Sequence, residues 1–595
     1  MENDSSFVAP EGVYTVTDEL KPLLLQPTTG PSSSLTRVTP VLVRYPATKS
    51  NGPPGFAQLL GGAGNKESKK EKPVKDREDG ASLSGSESQD EAEQSHSAGQ
   101  ENMQPTPGVP AEQHTLFAQS PPVGKKKQAS RPKHGMRGTS STFITRMQTM
   151  EGLTKYLQSK QGEVTYLFYN QGRSFLWVEA GSKAKEPLAR ITFSSAPTCH
   201  DVNLSTASPE HLDVIIGFST GDLIWLDPIS SRYSRLNKQG CISSSSCTAV
   251  RWVPSSSMLF LASHVDGTII VYDNQREDGA FTPQQPTGSS LDPTGTTPSE
   301  DSSNKEWDPF DNIFVTMPPW HPVSSASNIG GAGRGEKEKA VKNPVSHWRL
   351  SKKSVVDFVF SPDVKYVAAI SEDGCLRVID ALAEQLVDCY ASYFGALTCV
   401  AWSPDGRFII TGGQDDLLTI FSPWEQRIIA RCQGHSSFVA AIAFDDLRCD
   451  GRTYRFGSVG EDNKLILWDF SSGSLHRPKF QAYHQRISMS STLSLAFRRD
   501  KSASYLPSFG MSGADTAPIS RYHPALSRNE VAVVQPVLIK QLDSDIPSAV
   551  TFLPRCLLTS TKTGHIKLWV RPLPPRSKSK NVRPPLADIH DLSTS

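Results

Sequence analysis

A short apolar run recurs along this chain at near-constant intervals, and that recurrence constrains the fold more than any single motif. The copies are FLWVE (175–179), LIWLD (223–227), IIVYD (269–273), LRVID (376–380), LTIFS (418–422), LILWD (465–469) and IKLWV (566–570). Their last residues lie 48, 46, 107, 42, 47 and 101 positions apart. The two long gaps contain Ser-, Pro- and Gly-rich stretches; with these discounted, the period stays in the forties. Most copies follow a tight turn at a fixed offset, as in SEDGCLRVID and GEDNKLILWD. Several are preceded by a strand of one type, as in VVDFVFSPD, LTCVAWSPD and VAAIAFDD. Short β-branched runs divided by Asp-Gly and Ser-Pro-Asp turns read as strands, not helices.

A period of about 40–45 residues with these parts is the signature of a four-stranded WD-repeat blade. Seven copies predict an all-β, seven-bladed WD-repeat β-propeller with a long disordered N-terminal region and disordered inserts. The expected organisation is an N-terminal segment with a candidate ring-closing strand over 1–45, then a disordered linker over 46–140. Blades 1–3 follow over 141–281, a mostly disordered insert over 282–345, and blades 4–6 over 346–480. A second disordered insert is expected over 481–540, the last blade over 541–572 and a disordered tail over 573–595. The inserts are polar and mixed in charge and hold little to bury. Two strands are candidates to close the ring, PVLVRY near Val41 and STFITRM near Phe143.

Bulk properties exclude several function classes. Lys and Arg number 62 against 61 Asp and Glu, so no global field recruits nucleic acid or an acidic membrane. None of the nine cysteines falls in a Cys-x-x-Cys spacing, which argues against a zinc site or redox pair and for a reducing compartment. No apolar run approaches the roughly 18 residues of a membrane span. No cofactor, metal or small-molecule ligand is expected.

The stretch GHSSFVAAIAFDDLRCDGRTYRFGSVGEDNKLILWDF, from Gly434 to Phe470, poses the sharpest question. Its His, Ser and Asp could be a catalytic triad, or they could belong to the blade. In the blade reading His435 lies in the loop leading in, Ser458 on the second strand, Asp462 in the turn and Trp468 on the third strand. The four then form a buried hydrogen-bonded tetrad. The turn acid precedes the Trp position by six residues in Asp462/Trp468, Asp415/Phe421, Asp373/Ile379 and Asp266/Tyr272. A triad would not recur as degraded copies at each repeat, so the tetrad is read as scaffold. In the last blade the acid is replaced by Thr563, and its network is expected to be incomplete. No G-x-S-x-G, Walker-type or H-E-x-x-H motif is present. Cys199 and His200 in TCHD are adjacent on a strand and should face opposite ways. Asp415 and Asp416 read as turn residues, not metal ligands. The basic run GKKKQASRPKHGMR (124–137) reads as a solvated linker, with a nuclear-import signal as the alternative. No catalytic residue is assigned.

Further likeness is carried by PTCHDVN, IIGFSTGDLIWLDPIS, SYFGALTCVAWSPDGRFIITGGQDDLLTIFS, the stretch through RCQGH to LILWDFSSGSLHRP, and the closing GHIKLW. These resemble the dystrophia-myotonica WD-repeat family, most closely its fungal catabolite-repression (CreC-like) branch. EGVYTVTDEL and PVLVRY resemble N-terminal segments of that family, which favours PVLVRY as the closing strand. The resemblance implies a non-catalytic partner of a CreB-like ubiquitin-specific cysteine protease, working beside a second WD-repeat protein. It also implies a role in carbon catabolite repression or in targeting the protease to cell tips and septa. The expected localisation is cytoplasmic, with the nucleus, cell tips and division sites as further candidates. A ubiquitin-ligase substrate receptor and a chromatin or trafficking scaffold are alternatives. Ligase-docking repeats usually follow Trp-Asp with x-Arg, whereas Phe470-Ser471 stand here, which counts against the first.

Residues just ahead of each first strand line the top face of a propeller, where function concentrates on loops carried by a rigid scaffold. Tyr393 and Phe394 precede one strand and Phe438 the next, so an apolar docking patch is predicted there. Ser392 and Lys353 are expected to flank it.

Overall fold

The continuous apolar runs have a direct structural cause. In the computed structural model of the chain they are third strands, each covered on both faces by neighbouring sheets. Leu223–Asp227, Thr268–Asp273 and Leu417–Ser422 are buried at every residue, and strands covered on both faces lose the polar half of their alternation. The structure describes residues 5–21, 35–46, 133–135, 142–182, 186–284, 286, 307–321, 341–471, 473, 521–542 and 545–572. All of these belong to one unit of seven antiparallel-based sheets.

The first, innermost strand of each blade is, in order, Val38–Tyr45, Pro197–Val202, Cys247–Trp252, Val355–Phe360, Leu397–Trp402, Val439–Phe444 and Pro547–Phe552. The core is divided into seven buried clusters, one at each interface between consecutive blades, including one between blades 7 and 1. The last of these joins Leu558, Ile566 and Leu568 of blade 7 to Leu167, Tyr169 and Leu176 of blade 1. No helix of the described residues is long and apolar enough to cross a membrane.

The strand that closes the ring is neither of the two expected. Gly12–Leu20 pairs antiparallel with Ile566–Val570, the third strand of blade 7, and Ser6–Ala9 adds a fifth strand outside it. Val38–Tyr45, which contains PVLVRY, is the inner strand of blade 1, and Ile144–Thr149 of STFITRM is the outer strand of the same sheet. The reason is visible at the hairpin joining the two N-terminal strands. Phe7 stacks on Tyr14 at 4.7 Å and meets Trp569 edge-on at 5.3 Å. Glu11 accepts two bonds of 2.7 Å from Arg455 of blade 6, which also holds Asp469 at 2.6 and 2.8 Å.

The blade boundaries differ from the expected ones in a second way. Residues placed in the inserts supply outer strands: Phe314–Thr316 to blade 3, Tyr522–His523 to blade 4, Ala532–Val534 to blade 5 and Pro536–Gln541 to blade 6. Ser346–Arg349, expected to open blade 4, belongs to blade 3. Part of the basic run is structural as well. His134–Gly135 edges blade 2, with the Lys133 ammonium 4.4 Å from the centre of the Trp225 ring. Outer strands are short and need only one covered face, so their apolar signal is weak. Of the expected linker, inserts and tail, residues 47–132, 136–140, 285, 287–306, 322–340, 481–520 and 573–595 lie outside the described residues.

Burial raises the Glu11 carboxyl, but the bonds from Arg455 and Tyr14 outweigh it and hold it below its usual range. Removing one partner from a buried charge cluster typically costs about 3–5 kcal/mol. Asp469 remains to Arg455, so Glu11→Ala is expected to cost about 3 kcal/mol or somewhat less, seen as a lower denaturation midpoint. An unchanged midpoint would show that the hairpin does not help close the ring.

Candidate docking face

Loops leading into successive blades lie on the same face as the turns between second and third strands, and backbone bonds tie the two together. In blade 6 this junction is the His435 loop. The Trp468 indole donates to Ser458 Oγ at 2.9 Å, Ser458 Oγ meets His435 Nε2 at 2.8 Å, and His435 Nδ1 meets Asp462 Oδ1 at 3.0 Å. Asp462 also accepts the Ser436 amide at 2.9 Å, and Phe438 O accepts the Glu461 amide at 2.8 Å. The geometry of Ser458, His435 and Asp462 is that of a triad, but Ser458 is fully buried and its oxygen already takes the indole proton. No substrate atom can reach it, so the four side chains hold the loop to the blade.

Blades 4 and 5 pin their loops with other residues. In blade 4 Asp373 accepts Ser351 Oγ at 2.8 Å, Ser371 Oγ at 2.6 Å and the Arg377 guanidinium at 2.7 Å. Burial pushes the Asp373 carboxyl up, but Arg377 outweighs it and the net shift is down. Ser351 in turn receives the Lys353 amide at 2.9 Å. In blade 5 Asp415 accepts the Leu417 amide at 3.2 Å, and burial, with no charge partner strong enough to offset it, raises its carboxyl. Gln414 Oε1 accepts the Ala396 amide at 3.1 Å, and Ser392 Oγ donates to Gly395 O at 2.8 Å. Gly395 has φ +68°, and a Cβ there would press to 3.1 Å on the Gln414 side chain. In the last blade only half of the tetrad survives, the Trp569 indole donating to Thr559 Oγ1 at 3.0 Å.

These straps present Phe394 at 73% exposure and Phe438 at 40%, on loops into consecutive blades. No ring contact joins the two. Lys353 is exposed on the loop into blade 4, and Ser392 is partly buried. Tyr393, at the position His435 takes in blade 6, turns outward between two guanidiniums, Arg431 at 4.7 Å and Arg528 at 5.3 Å. Arg431 donates to Leu526 O at 2.7 Å and to Ser527 O at 3.2 Å. Sequence reasoning missed both arginines: Arg528 lies in a segment read as insert, and only the fold brings it to blade 5.

The other candidate chemistry is absorbed by packing. Cys199 is buried between blades 2 and 3 with its thiol pushed up to about 11 by burial. His200 faces the opposite way, its Nε2 bonded to Phe168 O at 3.1 Å and its ring edge-on to Phe175. They do not form a nucleophile–base pair. Among the described residues no cluster of His, Cys, Asp or Glu is placed to hold a metal.

Comparison with known proteins adds three findings. Residues 387–422 match the family model "WD domain, G-beta repeat"; this window covers most of the fourth strand of blade 4 and the first three of blade 5, so the sequence repeat is out of phase with the sheets. The chain is 35% identical over 440 residues to the UBP9-binding protein bun62 of Schizosaccharomyces pombe, covering 73% of this chain and 75% of that protein. A chain in the crystal structure of the mitotic checkpoint complex aligns over 76% of this chain and 95% of its own, at 11% identity and a TM-score of 0.40, and nothing is built on it.

Burial lowers the pKa of four histidines: His200 and His347 to about 4, and His264 and His435 below their usual 6.5 despite acids nearby. In the unfolded chain each takes up a proton near 6.5, so below that pH the unfolded state binds more protons. The stability these rings provide is complete above about 6.5 and is lost as pH falls below it, toward 4 for His200 and His347. Thermal melts are expected to drop between pH 7 and pH 5. A midpoint flat across that window would contradict the burial of the four rings as neutral groups.

Proposed function

Because the chain belongs to the WD-repeat family that includes the UBP9-binding protein bun62, we propose that it is a non-catalytic scaffold that binds, stabilises and activates a ubiquitin-specific protease. The relative's name carries this reading, and the exposed, strapped aromatics of the top face supply a place for it. Phe394 is the anchor, with Phe438, Tyr393, Ser392 and Lys353 around it. Aromatic anchors at the centre of an interface commonly contribute about 2 kcal/mol or more each. Rigid loops add to this because little conformational freedom is lost on binding.

Activation follows from differential affinity. A rigid face that fits only the competent conformation of the protease raises the population of that conformation, and about 1.4 kcal/mol of preference shifts it tenfold. A second WD-repeat protein belongs to the same complex in this reading, and the cellular setting is carbon catabolite repression or placement of the protease at cell tips and septa.

The test is co-purification of the tagged chain with identification of its partners, repeated with Phe394→Ala plus Phe438→Ala. The unsubstituted chain is expected to recover a ubiquitin-specific protease and the double variant to lose it while melting at the same temperature. Undiminished recovery by the double variant would refute docking on this face. Recovery of ligase or coat subunits in place of a protease would refute the function.

A further inference from the structure

Among the described residues the buried arginines are Arg377, Arg431, Arg455 and Arg571. Three of them are ion-paired: Arg377 with Asp373, Arg455 with Glu11 and Asp469, and Arg571 with Asp445. Arg431 is the exception. It lies on the fourth strand of blade 5, Arg427–Gln433, with its guanidinium 4.7 Å from the centre of the Tyr393 ring. Arg528 brings a second guanidinium to 5.3 Å from the same ring. Among the described residues neither has a carboxylate oxygen within 4.0 Å. We propose that Arg431, Arg528 and Tyr393 form an anion-recognition site beside Phe394, which takes the carboxylate of an Asp or Glu side chain of the partner docked on this face. This rests on the proposed function for the identity of that partner.

The protein's own groups leave this charge unmatched. Arg431 donates to Leu526 O and Ser527 O, while its buried Nε has no hydrogen-bond partner. Carbonyl dipoles satisfy N–H groups but cancel no charge, and a buried charge without a counter-charge is unfavourable. The face of the Tyr393 ring attracts both cations but carries no net charge. Two acids act on Arg431 from a distance, and both are held elsewhere. Asp415 accepts the Leu417 amide in its own turn, and Glu530 accepts the Ser527 amide at 2.8 Å in a capping box. Burial, aided by the like charge of Arg528, holds the Arg431 guanidinium below its usual range despite both acids.

Charge complementarity and the apolar neighbour together select the occupant. Arg528 is exposed, Tyr393 is 37% exposed, and the Tyr393 hydroxyl makes no hydrogen bond among the described residues. A guanidinium N–H and a phenolic O–H can donate to one carboxylate, and bonds to a charged acceptor are the strong ones. Buried Arg431 adds a fixed positive charge that strengthens the hold. Phe394 follows directly in sequence and is the most exposed large apolar side chain of the described residues. The site therefore suits a peptide segment in which an acid stands next to an apolar residue that covers Phe394. A nucleic-acid backbone repeats its charge and requires a row of cations, whereas two guanidiniums around one ring match a single carboxylate.

The probe is the purified ubiquitin-specific protease of the same organism most similar to UBP9, titrated against full-length variants. Arg528→Glu is expected to weaken binding at least about tenfold at about 50 mM salt, and by less at about 500 mM, where the attraction is screened. Arg528→Lys, which restores the charge, is expected to recover part of the loss. Tyr393→Phe keeps the stacked ring and removes only the hydroxyl; it is expected to weaken binding about tenfold with an unchanged melt. Tyr393→Phe decides the matter if Arg528→Glu fails to fold. Undiminished binding by Tyr393→Phe or by a folded Arg528→Glu overturns the proposal. Undiminished binding with a lower melt for Arg528→Glu also overturns it, and shows that an acid of this chain already fills the site. Loss of binding when the protease is treated with phosphatase assigns the anion to a phosphate and overturns the carboxylate. If the protease does not bind the unsubstituted chain, the proposed function fails and this site with it. If binding is lost with Phe394→Ala plus Phe438→Ala but indifferent to Arg528 and Tyr393, that reading stands without the anion site.

Discussion

Closure of the ring is the constraint on which the rest depends. Each apolar interface is shared by two blades, so a blade that lacks its fourth strand exposes its neighbours as well as itself. The chain meets this by bringing Gly12–Leu20 to the blade that the other end completes, joining Thr17 to Leu568 across 551 positions. The entropy of closing so long a loop grows only logarithmically, about 0.6 kcal/mol for each doubling of length. That is why the same ring accommodates long insertions between strands of one sheet. It also explains the investment of Glu11, Arg455 and Asp469 at the seam, where Arg571 and Asp445 form a further buried ion pair between blades 6 and 7.

The tetrad of blade 6 shows how little hydrogen-bond geometry alone says about chemistry. Ser458, His435 and Asp462 stand at distances a hydrolase would use, but an indole caps the serine and burial lowers the pKa of the imidazole. What they supply is rigidity. Blade 4 reaches the same end with Arg377 and Ser351, and blade 5 with Gln414, which holds the Ala396 amide. The common element is a turn acid facing the loop of its own blade, and the residue it holds is free to vary. This freedom lets blade 5 release Tyr393 to the surface between Arg431 and Arg528.

Much of the site was readable beforehand. The position of Phe394 and Phe438 just ahead of a first strand follows from the repeat, since loops fall at fixed offsets in it. The tetrad followed from spacing as well. The arginines around Tyr393 did not, because Arg528 is nearly a hundred positions from Arg431 in a polar stretch with no period. The ring-closing strand was missed for a related reason: Gly12–Leu20 alternates at every residue, but Tyr14 alone of its inward positions is fully buried, and the strand reads no better than PVLVRY does.

The sequence by itself determined the number and kind of blades. Third strands covered on both faces must be apolar throughout, and tight turns need Gly, Asp or Asn, so both leave local marks that repeat. Only the tertiary structure decided which strands share a sheet and which loops meet. Those choices depend on edges and faces fitting across hundreds of residues, and backbone pairing makes the same hydrogen bonds whatever the side chains. A local pattern can announce a strand, but it cannot name its neighbour.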